Sequence, residues 1–109
     1  MKPKNAELPY YAVIFSSQRT DKDHQHYEEM AEGMLKIVEE FDGYLGCESY
    51  RNLDGKGVTI SYWQSLNEIQ YWKDNLAHRA VQRMGRDKWY SSYTVRVCKI
   101  EKEYSFDAE

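Results

Sequence analysis

The chain has 109 residues, 41% of them hydrophobic and 30% charged, with a net charge of −3. That length holds one domain whose core needs no disulfide or metal staple. The acidic balance gives no global attraction to nucleic acid or anionic membrane, and no apolar run approaches the roughly 20 residues of a bilayer span.

A local basic cluster, Arg79, Arg83, Arg86 and Lys88, is interrupted by Asp74 and Asp87 and reads as a solvated helix face. The opening MKPKNAELPYY lacks the apolar core of a signal peptide, so a cytoplasmic location is expected. Cys47 and Cys98 fall in predicted strands and are expected to be reduced and buried.

In chain order, residues 1–9 hold both prolines and are expected to form a flexible N-terminal arm. Residues 10–17 (YYAVIFSS) are apolar on both alternating faces, the pattern of a strand covered on both sides. Thr20 and Asp23 resemble a helix-start pair. Tyr27, Met30, Ala31, Met34, Val38 and Phe41 then recur as one helical face, with Gly43 just beyond as a cap. Tyr44–Asn52 reads as a second strand, Asp54-Gly55 as a hairpin turn, and Val58–Gln64 as a third strand antiparallel to the second. Ser65 and Glu68 have the S-x-x-E spacing of a capping box. A second helix follows through Leu66, Ile69, Trp72, Leu76, Ala80, Val81 and Met84, with Asn75 a candidate break and Gly85 a candidate end. Tyr93–Tyr104 alternates as a fourth strand, and residues 105–109 form a short polar tail.

The order strand, helix, strand, strand, helix, strand predicts an α+β domain over residues 10–104. It is ferredoxin-like (βαββαβ), an antiparallel four-stranded sheet with two helices on one face. Strands 1 and 3 carry bulky side chains on both faces, for example Ile60 and Tyr62 against Trp63. Two helices cover one face, so the other would expose a large apolar patch, which monomers avoid. A homodimer packed through that open sheet face is expected.

Gly43-Tyr44-Leu45-Gly46, Ser61-Tyr62-Trp63-Gln64-Ser65, Trp72 and His78 match in order and spacing the pattern of the antibiotic biosynthesis monooxygenase domain family. The chain resembles that family from about Tyr11 to Lys102. The resemblance implies a dimeric α+β barrel, with a pocket for a small apolar or aromatic ligand between sheet and helices. The family spans cofactor-independent oxygenases, haem-degrading enzymes, isomerase-like relatives and proteins with no known activity. The haem-degrading branch would match at Trp72, but it places a histidine ten residues further on, where this chain has Gln82. An amide ligates haem iron poorly. That branch also carries an asparagine near the end of the first strand, where Ser16, Ser17 and Gln18 stand here.

The reading that results is a monooxygenase without cofactor or metal, acting on a phenol- or quinol-like metabolite. The alternative is a non-catalytic binding or stress-related dimer. Oxidation of a phenol by dioxygen needs a base to form the phenolate, and His78 is the candidate. Equally, His78 suits a position at the helix break. Candidate pocket residues are Trp72, Trp63, Tyr62, Tyr27 and Met30, each of which also suits plain packing. Trp63 and Tyr62 alternate, so one faces the pocket and the other the dimer interface. His24 and His26 lie about 200° apart on a helix and cannot share one ion.

Overall fold

The computed structural model describes residues 6–108, so most of the expected N-terminal arm and Glu109 lie outside the described residues. The elements are β1 (Tyr10–Arg19), α1 (His24–Val38), β2 (Tyr44–Arg51), β3 (Lys56–Trp63), α2 (Leu66–Lys73), α3 (Leu76–Met84), a π-helical turn (Gly85–Trp89) and β4 (Tyr90–Ile100). All three strand pairings are antiparallel, and the sheet runs β2-β3-β1-β4. This is the ferredoxin-like βαββαβ arrangement, with the second helical layer divided.

The division has a local cause. Asn75 sits between α2 and α3, and its Oδ1 accepts the His78 backbone N–H at 3.3 Å, which starts a new helix. The Leu76 side chain, expected on the apolar stripe, lies outside the described residues. Gly85, expected to end the helix, instead opens the π-helical turn that delivers Trp89 to the core.

Other expectations shift at their edges. β4 starts three residues before Tyr93 and stops at Ile100, not Tyr104. Its pairing with β1 ends where Tyr10 stands opposite Ile100. Thr20 is not a helix cap: its hydroxyl donates to the Lys88 carbonyl at 2.7 Å. Asp23 holds the N-cap position in a left-handed conformation (φ 56°) without capping through its side chain. α1 ends at Val38, and Gly43, at φ 79°, makes the later turn into β2. A Cβ there would lie 2.5 Å from Glu68 Cγ, so this position needs glycine for both conformation and space. Gly55 makes the β2–β3 turn at φ 91°, and Ser65 Oγ accepts the Glu68 N–H at 3.3 Å to cap α2.

β1 is central, paired with β3 on one side and β4 on the other. Arg19 lies over the α1 residue Tyr27, 4.0 Å from its ring centroid, so Arg19 and its alternation mates Tyr11, Val13, Phe15 and Ser17 face the helices. Register puts Trp63 opposite Tyr11, on the helix-covered face, and Tyr62 opposite Ala12, on the open face. The open face also carries Ile14, Val58 and Ile60, all half-buried, and Tyr50, which is 59% exposed. One corner is closed by the tail, where the Tyr10 hydroxyl donates to Glu103. Beyond it Tyr104 and Phe106 stand exposed. No helix among the described residues is long and apolar enough to cross a membrane.

Candidate functional site

The helix break places His78 one turn into α3, where its ring meets Trp72 of α2 with centroids 4.8 Å apart. Phe41, from the turn after α1, closes on the other partner, with its centroid 5.1 Å from Trp72 and 5.5 Å from Tyr71. The imidazole is largely buried. Burial lowers its pKa below the ordinary 6.5, a hydrogen bond with the Lys73 backbone opposes this, and the Lys73 charge adds to the lowering. His78 is therefore neutral at pH 7.

Nδ1 of His78 is sealed from solvent and has no hydrogen-bond partner among the described residues. A buried ring nitrogen without a partner is costly, and in a neutral imidazole it is a base whenever the proton sits on the other nitrogen.

Trp63 lies on the same covered sheet face, 1% exposed, with Nε1 donating to Ser61 Oγ at 2.9 Å and its ring edge-on to Tyr44 at 5.4 Å. Burial and a hydrogen bond with Cys47 push the Tyr44 phenol up. Tyr62 is turned away to the open face, against Tyr10 at 6.1 Å. Burial, then Glu48, raises its pKa. Met30 is half-buried on α1. Tyr27 belongs elsewhere. It packs on Trp89 and Tyr90, each at 5.9 Å, beside the Ser17–Arg19 end of β1. Tyr11, which pairs with Trp63, is six residues from Ser17 on β1, roughly 20 Å at the strand rise.

The helix-covered face thus has two aromatic centres. One joins Trp72, His78 and Phe41 near the α1 C-terminus; the other gathers Tyr27, Trp89 and Tyr90 at its start. Sequence reasoning passed over Trp89, Arg19 and Arg51, all in the second centre. The available signal was arginine at strand positions that alternate with apolar ones. His24 pairs with Glu28 at 3.2 Å and His26 with Asp23, so the two histidines take separate partners. Both cysteines are free and half-buried.

The residues present do not fit a haem. The one imidazole beside Trp72 is in direct contact with it and has its free nitrogen enclosed, and the position ten residues after Trp72 is the amide Gln82.

The sequence pattern of the antibiotic biosynthesis monooxygenase family matches residues 9–84. The chain belongs to that family. It is 45% identical over 103 residues to the uncharacterized protein YqjZ of Bacillus subtilis, covering 94% of this chain and 90% of that one. It is 24% identical over 92 residues to a protein of Pyricularia oryzae named jasmonate monooxygenase ABM, covering 83% of this chain and 43% of the relative's length. Among solved structures, a dimeric ferredoxin-like protein of unknown function from Thermobifida fusca superposes with a TM-score of 0.72 at 8% identity, covering 92% of this chain and 100% of that one. At that identity the likeness is one of fold.

Proposed function

We propose that this family member is a homodimeric, cofactor-independent monooxygenase acting on an electron-rich phenol, with His78 as the base. The observation that carries the reading is the enclosed, unpartnered Nδ1 of a neutral histidine lying against Trp72. The P. oryzae relative named a monooxygenase supports the reaction class.

In the reaction, Nδ1 takes the phenolic proton, and the phenolate donates electrons to dioxygen. A C–O bond forms at a ring carbon bearing hydrogen, and the resulting peroxide takes the proton back from His78 to give a hydroperoxide. Loss of that ring hydrogen as a proton breaks the O–O bond. One oxygen stays as the quinone carbonyl and the other leaves as hydroxide, which the ring proton converts to water. A phenol with a free para C–H plus O₂ thus gives a quinone plus water. Trp72 and Trp63 provide apolar walls that keep bulk water from the phenolate. Met30 of α1 is a further candidate for the substrate's surroundings, whereas Tyr62, on the open face, suits the dimer contact.

Oxygen uptake with 1-naphthol and related phenols bearing a free para C–H is expected in the wild type, with a loss of about 10²–10⁴-fold in His78→Ala. Uptake that survives the substitution unchanged removes His78 as the base. A second reading, a binding module without turnover, is favoured by the same enclosure of Nδ1, since a substrate must displace neighbours to reach it. Saturable binding of 1-naphthol with no oxygen uptake would select that reading.

A further inference from the structure

The second aromatic centre holds more hydrogen-bond donors than acceptors. Arg19 is 8% exposed, and its guanidinium lies 4.0 Å from the Tyr27 ring centroid. It donates once, from Nη1 to the Trp89 carbonyl at 2.6 Å. An arginine has five N–H groups, and the other four have no acceptor among the described residues. Arg51 arrives from the edge strand β2. It donates to the Gly55 carbonyl, and its Nη2 lies 3.2 Å from Ser17 Oγ and 3.4 Å from the Tyr27 hydroxyl. To do so it passes over Gly57, its register partner on β3, where a Cβ would lie 2.8 Å from Arg51 Cζ. The glycine leaves the channel that Arg51 occupies.

The hydroxyls of Tyr27 and Tyr90 are 3.2 Å apart. One phenolic proton is spent between them, and the other has no acceptor among the described residues. No carboxylate among the described residues pairs with Arg19 or Arg51. Asp23, at the start of α1, gives its carboxylate to His26 and to Trp89 Nε1. Two guanidiniums therefore flank one tyrosine ring, at 4.0 and 5.9 Å, without a counter-charge, in a chain of net charge −3. Like charges repel, and a buried cation without an anion loses its hydration uncompensated. An anion from outside supplies what is missing. Phe15 lies against Tyr90 and Tyr93, with centroids 5.3 and 5.2 Å away, so the ground beside the cations is aromatic.

We propose that Arg19, Arg51, Tyr27 and Tyr90 form a binding site for the carboxylate of a small aromatic acid. The guanidinium N–H groups and the spare phenolic proton grip the oxygens, and the neighbouring rings stack on the body. Arg51 is exposed, so the ligand arrives from the β2 side. The site lies at the other end of the sheet face from His78 and does not depend on the oxygenase reading.

The test is titration calorimetry of the full chain with 2-naphthoate, its neutral counterpart 2-naphthamide, and inorganic phosphate. Saturable binding of naphthoate is expected, at least about tenfold tighter than either comparator, because charge-assisted bidentate hydrogen bonds need the carboxylate and the rings need the naphthyl group. Arg51→Gln, at an exposed position, should fold normally and weaken naphthoate at least about tenfold, with a smaller effect on the weak naphthamide binding. Arg19→Gln should do the same if it folds; if not, Arg51→Gln decides. Absent naphthoate binding, equal affinity for acid and amide, phosphate binding as tight as naphthoate, or an unchanged affinity in folded Arg51→Gln would each overturn the proposal. The probe does not react, so these outcomes are separate from the oxygen-uptake result.

Discussion

His78 shows how a single side chain acquires chemical character from its setting. Its pKa is below 6.5 in the folded chain, chiefly through burial, whereas the unfolded chain titrates near the ordinary value. The unfolded state therefore takes up the proton first as pH falls. The stability tied to neutral His78 is fully present above about 6.5 and is lost as pH drops from there toward the folded pKa. Urea midpoints at pH 7.5 and 5.5 should fall further for wild type than for His78→Gln, and equal falls would show that His78 titrates alike in the folded and unfolded chains. The tyrosines move the opposite way, as buried acids should. Tyr10 is pushed up to about 12 by burial and by Glu103, and the Tyr90 phenol is raised by burial and by Tyr27. The histidine was visible in the sequence as a candidate. Its orphaned Nδ1 was not, because that depends on which groups the α2–α3 break brings to each ring nitrogen.

At the scale of elements, turns and caps were the most readable features. Ser65 caps α2 as the S-x-x-E spacing predicts, and Asp54-Gly55 makes its turn, with Asp54 Oδ1 accepting the Lys56 N–H at 3.0 Å. Both follow from local chemistry that needs no tertiary partner. Ser65→Ala should lower stability by about 1 kcal/mol in chemical denaturation, and an unchanged midpoint would mean that the cap carries no net stability. Where an element's limits are set by a neighbour, the sequence said less. β4 begins at Tyr90 because β1 extends to Arg19 and provides a partner there. Thr20 and Asp23 look like a helix start, yet both are recruited by the π-helical turn: Thr20 to the Lys88 carbonyl and Asp23 to Trp89 Nε1.

For the whole molecule the unresolved balance is the open sheet face. Ile14, Val58, Ile60 and Tyr62 line it with no helix over them among the described residues, and Tyr104 and Phe106 stand exposed on the tail that leaves its corner. Burying such a face is worth about 25 cal/mol per Å² of apolar area, and in the proposed dimer a second copy would meet it with the same self-complementary surface. Light scattering should give a particle of about twice the 13.0 kDa chain mass. Ile60→Glu places an unpaired charge at the centre of the face and should shift the species toward the 13.0 kDa monomer. A wild type that is monomeric at micromolar concentration would refute the dimer.

By itself the sequence determined the βαββαβ order, because periodicity, glycine turns and caps act over a few residues and leave a direct imprint on residue choice. It also determined that Trp63 and Tyr62 face opposite ways. Only the tertiary structure decided which of them meets the helices, since alternation defines two faces and the β1–β3 register assigns one to the helical layer. The tertiary structure alone also buried Trp89 and brought Arg19 and Arg51 to one tyrosine. Those two arginines lie in different strands, separated by a third that offers a glycine at the crossing. No local pattern records such a meeting, because it exists only once the sheet has formed.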